Sequence, residues 1–285
     1  MRDMEAMLPQ LPKRPLRQIL PRVTEARGAS RWRVGFFLGC AQSLLFASQS
    51  AATVRVLSRN GCTVVAPKEI VCCGMPARGY GRDDLVMEQA RRNIAIFEQE
   101  RVDFVLTDCA TCGSTLKEYG KLLEDDLQWA ERAAAFSHRV RDISEFLGSQ
   151  EMITLIKPPG RLEARLTYHD PCHLRRGQGV WKEPRALLSM IDGLEFVELP
   201  EADWCCGSAG SQLITHYDTS LKVLQRKMDN LAATQAQFVA SGCPGCQMQL
   251  NVGVQRSELA VQVVHPVEIL DRAYTNGDKR AGEVC

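Results

Sequence analysis

Asp103-Phe-Val-Leu-Thr-Asp-Cys-Ala-Thr-Cys112 is a short apolar run that stops at two cysteines three positions apart. Aromatic and β-branched residues in a run of this length, bounded by polar residues, predict a buried strand. Working outward, the same order recurs at Gln237-Phe-Val-Ala-Ser-Gly-Cys-Pro-Gly-Cys246. Upstream of the first copy, Arg33-Val-Gly-Phe-Phe-Leu-Gly39 ends at Cys40, and Thr63-Val-Val-Ala66 precedes Cys72-Cys73-Gly74. Upstream of the second, Arg165-Leu-Thr-Tyr-His169 precedes Cys172, and Glu195-Phe-Val-Glu-Leu199 precedes Cys205-Cys206-Gly207. Helical patterns separate these runs: Ala41 to Asn60, closed by Gly61 as a C-terminal cap, Asp83 to Glu100, Pro184 to Ile191 and Asp218 to Ala236. Alternating strands and helices predict an α/β fold with mainly parallel sheets.

Corresponding cysteines of the two halves lie 132 to 134 residues apart. A period this regular predicts an internal duplication, with two tandem Rossmann-like units. Ile143-Ser-Glu-Phe-Leu147 and Pro266-Val-Glu-Ile-Leu270 end the two copies alike. The expected organisation is an extended, proline-punctuated arm or linker over 1–31, a first cysteine-rich domain over 32–150 and a second over 161–275. The boundary falls in Ser149 to Arg161, which holds Pro158, Pro159 and Gly160.

The 285 residues are 45% hydrophobic, enough for two cores. Lysine and arginine number 35 against 34 acidic residues, so no charge excess suggests nucleic acid. The apolar runs are strand-sized, far short of the roughly 20 residues of a membrane span. The opening residues carry Asp3, Glu5, Glu25 and four prolines rather than the apolar core of an export signal. A cytoplasmic chain, or one peripheral on the inner face of a membrane, is expected. In such a reducing compartment the twelve cysteines point to metal or redox chemistry rather than disulfides.

Ten of the twelve form the two five-point sets: Cys40, Cys72, Cys73, Cys109 and Cys112, then Cys172, Cys205, Cys206, Cys243 and Cys246. Each group follows a strand, which places three segments at the carboxyl edge of one sheet, where open α/β sheets form ligand crevices. A structural zinc ion closes with four ligands, and each set offers five thiols. Adjacent cysteines point in different directions and suit a centre of several metal atoms. Soft thiolates then favour iron and sulfide. Gly74 and Gly207 leave the backbone free to approach the centre and to offer N–H groups to sulfur. Buried unreactive cysteines, a zinc site using four of five thiols and a vicinal disulfide are the alternatives.

Tyr168-His-Asp-Pro-Cys-His173, Cys205-Cys-Gly-Ser-Ala-Gly210, Gly242-Cys-Pro-Gly-Cys246 and His265-Pro-Val-Glu-Ile-Leu270 complete a recognisable pattern. From about Trp32 to Tyr274 the chain resembles the cysteine-rich CCG-domain family. That family includes glycolate oxidase iron-sulfur subunits, lactate-utilisation proteins, the small subunit of anaerobic glycerol-3-phosphate dehydrogenase and the cysteine-rich subunit of heterodisulfide reductase. The match is closest to the glycolate oxidase type. The resemblance implies a [4Fe-4S] cluster on each complete set, of the non-cubane kind in heterodisulfide reductase, with zinc an alternative in the first. It implies an oxidoreductase subunit that takes electrons from an FAD-containing dehydrogenase subunit oxidising glycolate or lactate. The alternative is thiol or disulfide reduction at a catalytic cluster. Glycolate oxidase subunits of this kind also carry a ferredoxin-like iron-sulfur domain upstream, which is expected here on another chain.

Neither Gly79-Tyr80-Gly81 nor Gly207 to Gly210 has full dinucleotide spacing, so no flavin or NAD site is expected on this chain. His169 and His173 bracket Cys172 and could hydrogen-bond a cluster sulfur or pass a proton, or be structural. His265 reads as a capping or packing residue. Arg78, Arg82, Arg175 and Arg176 read as solvated surface groups, with carboxylate binding or docking of an acidic partner the alternative. Trp204 is expected to pack on the second cysteine loop. Cys62 reads as a small buried hydrophobe and Cys285 as a terminal thiol.

Overall fold

A computed structural model describes residues 11–157 and 159–283, with the side chains of 279–283 left out of the description. It divides into two compact units, the first over Pro12–Phe146 and the second from Leu147 onward. The first is built on four parallel strands, β2 (Trp32–Phe36), β3 (Cys62–Val65), β4 (Phe104–Thr107) and β5 (Val140–Asp142). With β1 (Val23–Thr24) antiparallel on the edge, their order is β1-β3-β2-β4-β5. Val34 stands opposite Val64 on one side and Phe104 on the other. Every residue of β3 is buried, which explains why these strands read as continuous apolar runs rather than alternating ones.

Helix Asp83–Gln99 shows how the sheet is covered. Val86, Ala90, Asn93, Ile94 and Phe97 form one buried stripe, while Asp83 and Asp84 favour the positive end of the helix. Phe97 packs between Phe37 and Phe136, with ring centroids 6.4 and 6.0 Å away. It lies so close to the central strand that a Cβ on Gly35 would meet its ring at 2.7 Å. Only a residue without a side chain fits that point of β2.

The second unit repeats the plan. Its strands β6 (Ala164–Tyr168), β7 (Leu194–Phe196), β8 (Phe238–Ala240) and β9 (Gln262–Val264) are all parallel, in the order β7-β6-β8-β9. Strand for strand this is the order β3-β2-β4-β5 of the first unit. Among the described residues no helix is long and apolar enough to cross a membrane.

The expected arm over 1–31 needs correction from Pro12 on; Met1–Gln10 lie outside the described residues. Leu16 is buried, β1 pairs with β3, and Ser58 Oγ donates to the Glu25 carbonyl at 2.6 Å. The prolines forbid long elements but allow a one-turn helix, Leu16–Ile19, and a two-residue edge strand. The helix expected over Ala41 to Asn60 is two helices, Cys40–Leu44 and Ala47–Arg59, with Cys40 opening the first.

Candidate metal centres

In each unit the chain leaves the central strand for a neighbour on one side and then returns to pair on the other. The crevice at the carboxyl ends of these strands is where the cysteines gather. In the first unit, Cys40 follows β2, Cys72 and Cys73 follow β3, and Cys109 and Cys112 follow β4. Cys109 is the N-cap of helix Ala110–Lys117, and its Sγ accepts the Cys112 N–H at 3.3 Å. The Gly74 N–H points at Cys72 Sγ, 3.5 Å away, from a left-handed backbone with φ +98°. A Cβ on Gly39 would stand 3.2 Å from Cys112 Sγ, so a glycine there keeps the strand end close to the sulfurs.

The loop itself is held from beneath. Tyr119 donates its hydroxyl to the Cys73 carbonyl at 2.8 Å, and Asn93 Nδ2 donates to the Cys72 carbonyl at 3.2 Å. Cys73, Cys109 and Cys112 are buried, Cys72 is half-buried and Cys40 is exposed, so the nest has a closed back and an open rim. Its sulfurs act on one another's protons. Hydrogen bonds from Cys112 and Cys72 hold the Cys73 thiol well below its ordinary pKa. Cys109 and Cys73 push the Cys112 thiol up, and Cys72, followed by burial, does the same to Cys40. Five thiols this close cannot all ionise by themselves, and a metal-centred positive charge would remove that conflict.

The first centre also has a cation that the sequence pattern did not reveal. Arg17 Nη1 donates to the Ile70 carbonyl at 2.7 Å and Nη2 to the Leu38 carbonyl at 2.6 Å. Burial lowers its pKa, while the charges of Cys40 and Cys72 act the other way. Asp108, next to Cys109, is fully buried and accepts from Ser50 Oγ at 2.7 Å and Thr53 Oγ1 at 3.1 Å. Desolvation pushes its carboxyl up to about 6.

In the second unit Cys172 opens helix Cys172–Gln178, Cys243 is the N-cap of helix Pro244–Arg256, and Cys246 lies in the first turn. Cys206 Sγ is 3.4 Å from Cys246 Sγ, and the Gly207 N–H points at Cys205 Sγ at 3.3 Å. Hydrogen bonds from Cys205 and Cys246 hold the Cys206 thiol well below its ordinary value, and the neighbouring His169 imidazole acts in the same direction. Cys206 in turn raises both Cys205 and Cys246. Cys206, Cys243 and Cys246 are buried and Cys172 and Cys205 exposed, much as in the first unit.

Ionic contacts brace this nest. Asp170 is buried and accepts from Arg175 at 2.6 Å and from Arg185 at 2.8 and 3.0 Å. Its N–H reaches the Ala202 carbonyl at 3.0 Å, which ties the end of β6 to the loop before Cys205. Lys227 is buried and donates to the carbonyls of Glu201 and Ala202; burial lowers its pKa to about 8. The expected surface arginines are thus mixed in character. Arg175 belongs to the brace, Arg176 faces Asp203 at 3.7 Å, Arg78 pairs with Glu118, and Arg82 pairs with Asp84 on the surface. Trp204 is 37% exposed and sits under the Arg226 guanidinium at 4.2 Å. Cys62 is fully buried, and Cys285 lies outside the described residues.

His265 is a cap, as expected. Val267 donates its N–H to His265 Nδ1 at 3.1 Å, while the His265 N–H donates to Glu268 at 2.9 Å. Asp142 holds the same place in the first unit, with Ser144 at 2.8 Å and Glu145 at 3.0 Å. Burial pushes the His265 pKa from 6.5 down to about 3. Folded, the ring stays neutral to about pH 3; unfolded, it takes a proton below about 6.5. Its contribution to stability is therefore present above pH 6.5 and lost as pH falls toward 3. His265→Asn keeps an acceptor for the cap and is expected to remove up to about 1.4 kcal/mol per pH unit of that slope. Urea midpoints followed through Trp181 and Trp204, both in this unit, measure it. An unchanged slope refutes the assignment.

The model of the cysteine-rich CCG domain family matches residues 34–117 and again 166–251. A protein named probable glycolate oxidase iron-sulfur subunit, from Bacillus subtilis (strain 168), is 39% identical over 275 residues, covering 95% of this chain and 61% of the relative. One of the subunits of the fumarate reductase (CoM/CoB) of Methanothermobacter marburgensis is 36% identical, over 86% of this chain and 47% of the relative. Lactate utilization protein A of Oceanobacillus iheyensis is 30% identical, over 84% and 96%. The chain spans roughly half of the first two relatives and nearly all of the third.

Proposed function

Because the chain belongs to the cysteine-rich CCG domain family, we propose that it is the iron-sulfur subunit of an oxidoreductase complex in which a flavoprotein oxidises a 2-hydroxy acid such as glycolate or lactate. The observation that carries this reading is the paired nest: five thiols at the carboxyl edge of each sheet, three buried in each and the rest on an open rim. The donor set fits iron-sulfur chemistry. Thiolate is the preferred donor, five exceeds what one zinc ion takes, and Gly74 and Gly207 aim N–H groups at sulfur. The names of the Bacillus and Oceanobacillus relatives supply the substrate class.

When bound, such clusters supply one-electron transfer. The chain's own part is to hold them and tune them. Cys73, Cys109, Cys112, Cys206, Cys243 and Cys246 form water-poor floors, while Cys40, Cys172 and Cys205 lie where a partner can approach. Helices Ala110–Lys117 and Pro244–Arg256 turn their positive ends toward the thiolates. Half-buried Arg17 and buried Lys227 add a cation to each nest. We assign two [4Fe-4S] clusters, one to each five-cysteine set.

Purification without oxygen, followed by iron, sulfide and zinc analysis, tests the assignment. About eight irons with matching sulfide are expected for two four-iron clusters. Stoichiometric zinc without sulfide overturns it. Mixing with a flavoprotein and a hydroxy acid should then bleach the iron-sulfur absorption. The exposed thiols favour a second reading, reduction of a disulfide at an open centre, as in heterodisulfide reductase. Turnover of a disulfide by the reduced, isolated chain would establish that reading, and its absence beside flavoprotein-driven reduction would exclude it.

A further inference from the structure

The two nests differ in the side chain that comes directly after the central strand. His169 follows β6 directly and Phe37 follows β2 directly. Phe37 is fully buried in the aromatic row with Phe97. His169 is 1% exposed, and apart from the Cys206 sulfur that it faces its ring nitrogens have no hydrogen-bond partner. A buried imidazole left this way is destabilising unless something else satisfies it. Its backbone N–H is already committed to the Ala240 carbonyl at 2.9 Å, so the strand fixes where the ring stands. One ring nitrogen, Cys206 Sγ and Cys246 Sγ all lie within 4.8 Å of one another, with the two sulfurs 3.4 Å apart. Metal–sulfur bonds of about 2.3 Å and metal–nitrogen bonds of about 2.0–2.1 Å around one tetrahedral ion call for separations of this size.

We propose that the second centre is a mixed sulfur and nitrogen site, in which His169 binds one metal ion beside Cys206 and Cys246, while the first centre is held by sulfur alone. This rests on the iron-sulfur reading above. A neutral imidazole leaves less negative charge on the metal than a thiolate does. Exchange of cysteine for histidine at iron raises the reduction potential of two-iron centres by this effect. The second centre is then the more readily reduced of the two, and the duplicated fold carries two inequivalent redox sites.

The test uses the whole chain, purified without oxygen and assayed for iron and sulfide, then poised to make the second centre paramagnetic. Pulsed electron paramagnetic resonance should show a strong, directly bonded nitrogen coupling that changes with [15N]histidine labelling. The labelling comparison needs no variant. His173 is also near, with Nδ1 3.6 Å from Cys172 Sγ, so His173→Gln serves as the control and should keep the coupling. His169→Phe, which copies the first unit, should abolish the coupling and lower the more positive of the two potentials. A fully iron-loaded chain without a directly bonded nitrogen overturns this inference alone. So does a coupling that survives His169→Phe, or a weak coupling accompanied by an exchangeable proton, the mark of an N–H donated to sulfur. A chain that takes up no iron overturns both this inference and the function it rests on.

Discussion

Cys206→Ser is expected to empty the second centre while the first stays loaded. Iron and sulfide should fall by about half, and one of two paramagnetic signals should vanish. Cys206 is chosen because it is the buried sulfur whose environment most favours the thiolate over the thiol. It is 3% exposed, its Sγ lies 3.4 Å from Cys246 Sγ, and hydrogen bonding with Cys205 and Cys246 holds its proton affinity well down. A serine hydroxyl keeps its proton at neutral pH and is a hard donor poorly matched to soft iron. The first nest should be untouched, because its five thiols come from another compact unit with its own sheet. Cys73→Ser should give the mirror result. Cys62→Ser, at a fully buried thiol outside both nests, should leave the metal content unchanged while costing stability. Iron content that does not change in Cys206→Ser would remove this residue from the ligand set.

The parallel sheets could be read in the sequence because strands buried on both faces need little except apolar residues. Val34, Phe36, Val64, Val65, Val105 and Leu106 satisfy that need in unbroken runs. The gathering of cysteines was legible for a related reason: each group stands just past a strand, and strand ends in a parallel sheet share one edge. Contacts made across long stretches of chain were not legible. Arg17 reaches a carbonyl 53 residues away, from a segment whose prolines suggest an arm. Asp108 was hidden because its partners Gln49, Ser50 and Thr53 resemble the solvent face of a helix. They face inward, Ser50 and Thr53 donating to the buried carboxylate and Gln49 to the Asp108 backbone carbonyl. In the sequence His169 stands only near Cys172, whereas its short separation in the fold is to Cys206 and Cys246, on two other segments.

Gly207→Ala is expected to cost about 2–5 kcal/mol and to strip the second centre. Gly207 has φ +90°, a region that costs a residue with a Cβ about 1–2 kcal/mol. The added methyl would also meet the Ser220 carbonyl oxygen at 2.5 Å, an overpacking that adds about 1–3 kcal/mol. That oxygen cannot yield easily. It belongs to helix Tyr217–Thr234, and the Ser220 hydroxyl is itself locked, donating to the Gly207 carbonyl at 2.8 Å and accepting from Gln249 at 2.9 Å. The turn would have to leave the helix, and the Gly207 N–H would lose its aim at Cys205. Two other glycines separate the causes. Gly210 has φ +64° with nothing within 4 Å of its Cβ position, so alanine there should cost only the backbone part. At Gly74 the obstacle is a methyl group of buried Val86, 2.6 Å away, a side-chain contact with no helix hydrogen bond to break. Urea midpoints should therefore fall most for Gly207→Ala, less for Gly74→Ala and least for Gly210→Ala, and only the first should lose iron from the second centre. Equal losses in all three would mean that backbone strain alone, and not the contact with the helix, dictates glycine after the cysteine pair.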